Sequence, residues 1–182
     1  MNKSKTMIKH LLSVLLIAIL VFPNISLSSA QFIETWLFDD PKKDANPASM
    51  DILKVSIANN GTHFRFIIKC RAKPEPSLIR SYYVWLNTTN GDAPDYCLVA
   101  GGISGLYEIK VEGGKIKLNL TAPIEIQVKG KSIYLTAKLE DINYPGGVEE
   151  MVGVVVTTQQ PLLKVRDRAP DSGVYYVPHE VI

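Results

Sequence analysis

Strict alternation of apolar and polar residues is the feature of this sequence that most constrains its fold. Between residues 133 and 139, every second residue is apolar, beginning with Ile133. The same period of two recurs in six further runs, at residues 53–57, 64–70, 107–111, 116–120, 124–128 and 152–156. Because successive side chains of an extended strand point to opposite faces, each run predicts a strand with one apolar face.

Turn-forming residues separate these runs. Asn60-Gly61 suits a tight hairpin, since both residue types tolerate a positive φ, and glycine-containing turns are predicted at residues 112–114, 129–131 and 145–147. Eight to ten short strands with one apolar face each need a second sheet to bury those faces. The sequence therefore predicts an all-β fold, an antiparallel β-sandwich of the jelly-roll or immunoglobulin-like kind.

The first 30 residues have the composition of a secretory signal peptide. Lys3, Lys5 and Lys9 precede an apolar run at residues 11–22, and Ser28-Ser29-Ala30 supplies the small residues of a cleavage site. The apolar run is shorter than the ~20 residues of a membrane span. We therefore expect a signal peptide at residues 1–30, a single secreted or cell-surface domain at residues 31–182, and no transmembrane anchor in the mature chain.

The charge balance argues against binding to nucleic acid. The chain has 20 Lys and Arg against 18 Asp and Glu, but three of the lysines lie in the predicted signal peptide. The mature chain would then carry a small negative net charge, without the basic surplus that attracts a phosphate backbone.

Export suggests two kinds of covalent modification. Cys70 and Cys97 form an even pair in an oxidising compartment, which favours one disulfide, although two buried free thiols are the alternative. Asn60, Asn87 and Asn119 each begin an acceptor pattern for N-glycosylation. These three asparagines would matter only in a host that glycosylates.

Aromatic residues on one predicted strand are the candidates for ligand binding. In the segment 82–87, Tyr83 and Trp85 point to one side, and Tyr82, Val84 and Leu86 point to the other. If the latter row is core, then Tyr83 and Trp85 form a platform of flat rings suited to the CH groups of sugars. Trp36 is a further candidate, and burial of the whole aromatic strand is the alternative.

An acidic segment near the start of the mature chain is the best metal candidate. Asp39, Asp40, Asp44 and Asp51, with Asn46 between them, offer hard oxygen ligands of the kind that Ca²⁺ prefers. The alternative is a solvated turn whose carboxylates cap backbone N–H groups. A later loop, residues 167–173, could contribute to a second site or pair its aspartates with neighbouring arginines.

The order of these motifs resembles a known family of exported modules. Asp39-Asp40-Pro41, Asp51-Ile52, the segment 82–87 and the segment 167–173 are similar in type and order to family 9 carbohydrate-binding modules and DOMON domains. The resemblance implies a β-sandwich that binds glycans. The resemblance also implies an acidic loop after the strand that contains Trp85. A calcium site in that loop would use Asp92 and Asp95 as ligands.

Some DOMON relatives hold haem between a methionine and a histidine. Met50, Met151 and His63 are present, but nothing in their spacing defines such a pair. We therefore do not expect haem, and a haem-binding redox module is the weakest hypothesis.

Catalysis is not expected either. The mature chain has only His63 and His179 as histidines, and it carries no Gly-x-Ser-x-Gly, His-Glu-x-x-His or phosphate-binding glycine motif. The first hypothesis is thus a non-catalytic glycan-binding module. The second is a structural cell-surface or filament subunit that binds another surface protein or assembles with itself by donating residues 31–38 as a strand.

Overall fold

The alternating runs of the sequence form strands in the computed structural model, which describes residues 31–41, 43–89, 91–113, 115–142, 151–160, 163–178 and 181–182. The predicted signal peptide, His179 and the turn predicted at residues 145–147 lie outside these ranges. The described residues form twelve strands, together with a short 3₁₀ helix at Leu139–Asp141. The strands are β1 (Ile33–Asp39), β2 (Ile52–Asn59), β3 (His63–Cys70), β4 (Ser81–Asn87), β5 (Tyr96–Ala100), β6 (Gly105–Glu112), β7 (Lys115–Ala122), β8 (Glu125–Lys129), β9 (Ser132–Lys138), β10 (Met151–Gln160), β11 (Leu163–Ala169) and β12 (Tyr175–Pro178).

The strands form two antiparallel sheets. Over the described residues, a five-stranded sheet has the order β1-β2-β3-β9-β8, and a seven-stranded sheet has the order β11-β10-β4-β5-β6-β7, with β12 also paired to β10. The prediction of an all-β antiparallel sandwich is confirmed. The predicted number of eight to ten strands is too low.

The undercount has a physical cause in β5. All five residues of Tyr96–Ala100 are buried, because one face of this strand packs into the core and the other is covered as well. A strand buried on both faces has no polar positions to alternate with apolar ones. β11 is rich in charged residues and β12 has only four residues, so neither shows an alternating apolar row.

The core lies between the two sheets. The inward row of β3, which contains Phe64, Phe66 and Ile68, and the inward row of β4, which contains Tyr82, Val84 and Leu86, have no exposed surface. Each of these side chains contributes on the order of 1.5–3 kcal/mol by leaving water. This burial decides which face of each strand turns outward.

The hairpin predicted at Asn60-Gly61 is confirmed. Gly61 has a φ of 82°, a left-handed conformation that glycine adopts without steric cost. The Asn60 side-chain oxygen accepts hydrogen bonds from the backbone N–H groups of Thr62 and His63, at 3.1 and 2.8 Å. The turn therefore joins β2 and β3 as antiparallel neighbours.

The disulfide predicted between Cys70 and Cys97 is wrong. Both cysteines are free and completely buried. Cys70 lies on β3 in the five-stranded sheet and belongs to the core, whereas Cys97 lies on β5 in the other sheet, opposite Trp85. Burial raises the pKa of Cys70 to about 12 and raises the pKa of Cys97 further, so both are inert thiols.

Candidate functional site

The face of β4 that turns away from the core carries the two aromatic residues predicted as a platform. Tyr82, Val84 and Leu86 are completely buried, and Tyr83 and Trp85 are partly buried on the opposite side. The rings of Tyr83 and Trp85 are stacked, with centroids 5.5 Å apart and planes 10° from parallel. Such offset stacking adds about 0.5–1.5 kcal/mol to the burial of the rings.

Neighbouring strands hold the Trp85 indole in place. Trp85 lies between Val155 of β10 and Cys97 of β5 in the strand register. The indole N–H donates a hydrogen bond of 2.9 Å to the Thr157 hydroxyl. Because Trp85 is on a central strand and has both a ring partner and a hydrogen-bond partner, its orientation is fixed before any ligand arrives.

A cleft of about 410 Å³ opens beside Trp85, within the range usual for small-molecule sites. Its apolar surface comes from Trp85, Val155, Pro94 and Val174. Tyr83 is not part of this lining, so it supports Trp85 from the side. Only one of the two predicted platform residues therefore lines the cleft directly.

Polar groups line the same cleft. Asn87 ends β4, Asp92 lies in the loop after it, Gln159 is on β10, and Arg168 is on β11. These side chains supply an amide at two positions, a carboxylate and a guanidinium. The cleft thus combines one flat ring with donors and acceptors of hydrogen bonds, which suits a polyhydroxylated ligand.

A glycine in β10 keeps the cleft open near Trp85. A Cβ atom at Gly153 would lie 2.8 Å from Val174 Cγ1 and 3.3 Å from Asn87 Cβ. Both Val174 and Asn87 line the cleft. A side chain at residue 153 would therefore push the cleft wall outward.

Sequence reasoning missed the contribution of β10. Val152, Val154 and Val156 face the core, so the residues between them face outward. That alternation could have identified Thr157 and Gln159 as outward-facing. It could not show that β10 lies beside β4, because strand pairing depends on residues far apart in the chain.

Trp36, the third predicted binding residue, lies elsewhere. It is 52 % exposed on β1, an outer strand of the five-stranded sheet. Its indole N–H donates to Asp39 Oδ1 at 3.3 Å. Trp36 is thus a solitary surface ring and does not line the cleft.

Asp95, a ligand that the resemblance implies in the loop after β4, is bonded to a neighbouring residue. Both Asp95 carboxylate oxygens accept hydrogen bonds from the backbone N–H of Thr88, and one of them also accepts from its hydroxyl at 2.8 Å. Asp95 therefore braces the loop. Asp92, the other predicted ligand, is exposed at the cleft.

Four aspartates converge at a different place. Asp40 follows β1, Asp44 lies in the β1–β2 connection, Asp167 is on β11, and Asp171 lies between β11 and β12. One carboxylate oxygen from each lies within 4.8 Å of all the others. This acidic cluster contains two of the predicted metal residues and two from the segment 167–173, for which the sequence predicts a second site or pairing with arginines.

Asp40 is the most unusual member of the acidic cluster. It is only 8 % exposed, and neither carboxylate oxygen has a hydrogen-bond partner among the described residues. Burial, and then the charges of Asp167, Asp171, Asp44 and Asp51, raise its pKa to about 8. An unpaired buried carboxylate is costly unless it is protonated or bound to a cation.

Asp167 is held more firmly. Burial raises its pKa to about 6, although hydrogen bonds from backbone N–H groups oppose that shift. Its two oxygens accept from Ile52 N at 2.5 Å and from Arg168 N at 2.8 Å. Because Ile52 starts β2, Asp167 joins the two sheets.

Asp39 and Asp51, the remaining predicted ligands, are not in the acidic cluster. Asp39 is exposed and bonded to Trp36. Asp51 is completely buried, and one of its oxygens accepts from Arg71 Nε and from Lys43 N. Asp51 thus already has a cationic partner and acts as a loop anchor.

The predicted glycosylation acceptors lie in three settings. The Asn60 side chain is engaged in the β2–β3 turn, and Asn119 is partly buried on β7. Asn87 lines the cleft, and its Nδ2 donates to the Gly91 carbonyl. A glycan on Asn87 would therefore compete with a ligand for the cleft.

The residues considered for haem lie at strand starts or just before them. Met50 is completely buried before β2, Met151 is the first residue of β10, and His63 is the first residue of β3. His63 Nδ1 lies 2.9 Å from the Thr62 hydroxyl. That ring nitrogen thus has a protein partner.

Comparisons with known proteins add no family assignment. No protein-family model matches the chain, and no curated protein matches it significantly. Among the residues described, none form a helix with the length and hydropathy to cross a bilayer. The resemblance to family 9 carbohydrate-binding modules and DOMON domains therefore stays a prediction based on the motifs quoted above.

Proposed function

We propose that the protein is a secreted, non-catalytic glycan-binding module, similar in kind to family 9 carbohydrate-binding modules and DOMON domains. The observation that carries this proposal is the immobilised Trp85 ring beside a polar-rimmed cleft. The proposed ligand is a glycan of a cell surface or of the environment. Sugars match the site because they present CH groups on one face and hydroxyl groups around the edge.

The fixed orientation of Trp85 favours binding. Stacking on Tyr83 and the hydrogen bond to Thr157 order the indole in the free protein. A ligand that stacks on a preordered ring loses less conformational entropy on binding. The rim also carries the Asp92 carboxylate and the Gln159 amide, which can bond sugar hydroxyls.

The carboxylates of the cleft support a binding role over hydrolysis. Asp92 is the only carboxylate among the described residues that line the cleft. Glycoside hydrolysis ordinarily uses two carboxyl groups on either side of the scissile bond. The nearby Asp95 is bonded to Thr88, so it is not placed as the second.

Affinity electrophoresis on a panel of polysaccharides tests the proposal. We expect retardation by at least one polymer, and we expect Trp85→Ala to abolish it because the stacking surface is lost. Trp36→Ala is the matched control, since it removes the same side chain from the other sheet. Absence of retardation on every polymer, or equal loss in both variants, would contradict the proposal.

Export and glycosylation belong to the same proposal. Mass spectrometry of the protein recovered from its native host should give a chain that begins at Gln31. Added hexose mass on Asn60, Asn87 or Asn119 would identify acceptors in use. A chain that retains Met1 inside the cell would contradict secretion.

A structural subunit of the cell surface is the second candidate. The outer strand β1 exposes Ile33 and Trp36, and the outer strand β7 exposes Ile116 and Leu120. Outer strands with apolar side chains favour edge-to-edge addition. In this chain β1 pairs with β2, so donation of β1 would require its exchange between copies.

Electron microscopy and size-exclusion chromatography separate the two candidates. A filament subunit should polymerise, and deletion of residues 31–38 should abolish the polymers. A glycan-binding module should stay monomeric and keep its ligand when β7 is made more polar by Ile116→Lys. Monomers at all concentrations would rule against the structural subunit.

A further inference from the structure

We propose that Asp40, Asp44, Asp167 and Asp171 bind one calcium ion that links the two sheets and holds the loop forming one wall of the cleft. The cation site stands on the acidic cluster itself. Its effect on the cleft rests on the proposed glycan-binding function. This site differs from the acidic loop after Trp85, where the resemblance would place calcium.

The spacing of the carboxylates fits calcium. Ca²⁺ binds oxygen at about 2.3–2.6 Å, so two ligands on opposite sides of one ion lie about 4.6–5.2 Å apart. The four carboxylate oxygens of the acidic cluster all lie within 4.8 Å of one another. Mg²⁺ demands strict octahedral geometry and gives up its hydration water reluctantly, so we expect it to bind less well to four carboxylates.

The buried carboxylate of Asp40 is the independent sign of a ligand. Asp40 is 8 % exposed, and neither of its oxygens has a hydrogen-bond partner among the described residues. Its oxygens nevertheless lie beside three other carboxylates. A divalent cation would give both oxygens a partner and would offset the repulsion among the four groups.

Two arginines near the acidic cluster are already engaged with other groups. Arg71 pairs with Asp51, and its guanidinium also donates to the Ala45 carbonyl at 3.1 Å. The Arg168 guanidinium donates to the carbonyl oxygens of Pro170 and Gly173. Neither arginine bonds the Asp40 carboxylate, whose two oxygens have no hydrogen-bond partner among the described residues.

The ligands come from both sheets. Asp40 and Asp44 belong to the connection between β1 and β2 in the five-stranded sheet. Asp167 and Asp171 belong to β11 and the following loop in the seven-stranded sheet. The ion would therefore reinforce the hydrogen bond that Ile52 N makes to Asp167 across the sandwich.

The same loop reaches the cleft. Asp171 lies in the segment 170–174, whose last residue, Val174, lines the cleft. Arg168, which also lines the cleft, follows Asp167 and bonds the backbone of this segment at Pro170 and Gly173. Binding of Ca²⁺ to Asp167 and Asp171 would thus hold the Arg168–Val174 wall in one position.

Calcium titration tests the site without reference to any glycan. Purified protein is stripped with a chelator, dialysed and titrated with CaCl₂ by isothermal calorimetry, with thermal melts run in parallel. We expect one ion per chain and a rise in melting temperature on binding, because a ligand of the folded state stabilises it. MgCl₂ at the same concentration should give a smaller rise.

Three variants locate the ion. Asp44→Asn and Asp171→Asn change exposed members of the acidic cluster, and each should weaken calcium binding by at least about tenfold through loss of a charged ligand. Asp39→Asn is the control, since Asp39 adjoins Asp40 but is exposed and bonded to Trp36. Absence of calcium binding by the parent protein, wild-type affinity in both cluster variants, or equal loss in Asp39→Asn would overturn the proposal.

The link to the cleft has its own readout. Polysaccharide retardation should fall by severalfold when calcium is replaced by chelator, and Asp171→Asn should reproduce that fall with calcium present. Calcium binding with glycan retardation unaffected by chelator would overturn the link and leave the glycan-binding function standing. Calcium binding with no retardation under any condition would overturn the glycan-binding function itself.

Discussion

The two tryptophans of this protein occupy opposite kinds of environment. Trp36 lies on an outer strand of the five-stranded sheet, 52 % exposed, with one hydrogen bond of 3.3 Å to an exposed aspartate. Trp85 lies on a central strand of the seven-stranded sheet, stacked on Tyr83 and bonded to Thr157. The same side chain is therefore loosely held in one region and fixed beside a cleft in the other.

Other aromatic rings on the two sheets reinforce this difference. On the five-stranded sheet, the Arg65 guanidinium lies 4.0 Å from the centroid of the Phe32 ring and 5.9 Å from that of Tyr134. One guanidinium thus lies within cation–π distance of both rings. On the seven-stranded sheet, Tyr83 and Trp85 contact each other, and Trp85 faces the cleft. The comparison indicates that residue type alone does not identify a binding platform.

The largest expected difference between the two regions is in stability. Leu86→Ala on β4 should lower the free energy of unfolding by about 2–5 kcal/mol, because it opens a cavity under a fully buried position. Ile33→Ala on β1 should change it by less than about 0.5 kcal/mol, because Ile33 is 76 % exposed. Urea denaturation of both variants measures these values, and equal losses would contradict the exposed position of Ile33 on the outer strand β1.

The next difference lies between Asp39, the last residue of β1, and Asp40, which follows it, and it depends on pH. Folding raises the pKa of Asp40 to about 8, so between about pH 4 and 8 the folded protein holds a proton that the unfolded chain releases. In chelator, the melting temperature should therefore fall as the pH rises across that window. Asp40→Asn should flatten the dependence between about pH 6 and 8, above the raised pKa of Asp167 of about 6, whereas Asp39→Asn, one residue away and exposed, should preserve it.

Tyr83 should contribute less to ligand binding than Trp85. Tyr83→Ala removes a stacking interaction of about 0.5–1.5 kcal/mol but leaves the cleft lining in place. Polysaccharide affinity should therefore fall by about tenfold at most, whereas Trp85→Ala should remove detectable binding. Quantitative affinity electrophoresis ranks the two variants, and a larger effect from Tyr83→Ala would mean that Tyr83 contacts the ligand itself.

The smallest expected difference concerns the hydrogen bonds of the two indoles. Thr157→Val removes the acceptor of the Trp85 N–H and should cost about 1 kcal/mol in stability. Asp39→Asn alters the acceptor of the exposed Trp36 N–H and should change stability by less than about 0.5 kcal/mol. Denaturation midpoints of the two variants test this, with Thr157→Ser as a variant that keeps the hydroxyl of Thr157.

Local pattern predicted the strand faces well. The outward orientation of Tyr83 and Trp85 follows from two-residue alternation once Tyr82, Val84 and Leu86 are assigned to the core. The Asn60-Gly61 turn follows from residues adjacent in the chain. By contrast, β5 gave no alternation because both of its faces are buried, and the sequence offered nothing to reveal it.

Neither candidate site was predictable as a whole. Asp40 and Asp44 were predicted as ligands, but their partners Asp167 and Asp171 are more than a hundred residues away. The cleft likewise brings Trp85 of β4 together with Thr157 of β10 and Arg168 of β11. The pairing of β10 with β4 and of β11 with β10 is a property of the whole sheet. The disulfide prediction was wrong for the same reason, since the spacing of two cysteines does not reveal the sheet to which each belongs.

The sequence by itself therefore determined the fold class and the inward and outward row of most strands, because alternation is a local consequence of extended backbone geometry. Only the tertiary structure decided which strands are neighbours, and with that which side chains meet. In the tertiary structure Cys70 and Cys97 lie in different sheets, and Trp36 lies outside the cleft lining. Asp167 and Asp171 lie beside Asp40. The physical reason is that strand order and register arise from the burial of all the apolar faces together, which no single segment encodes.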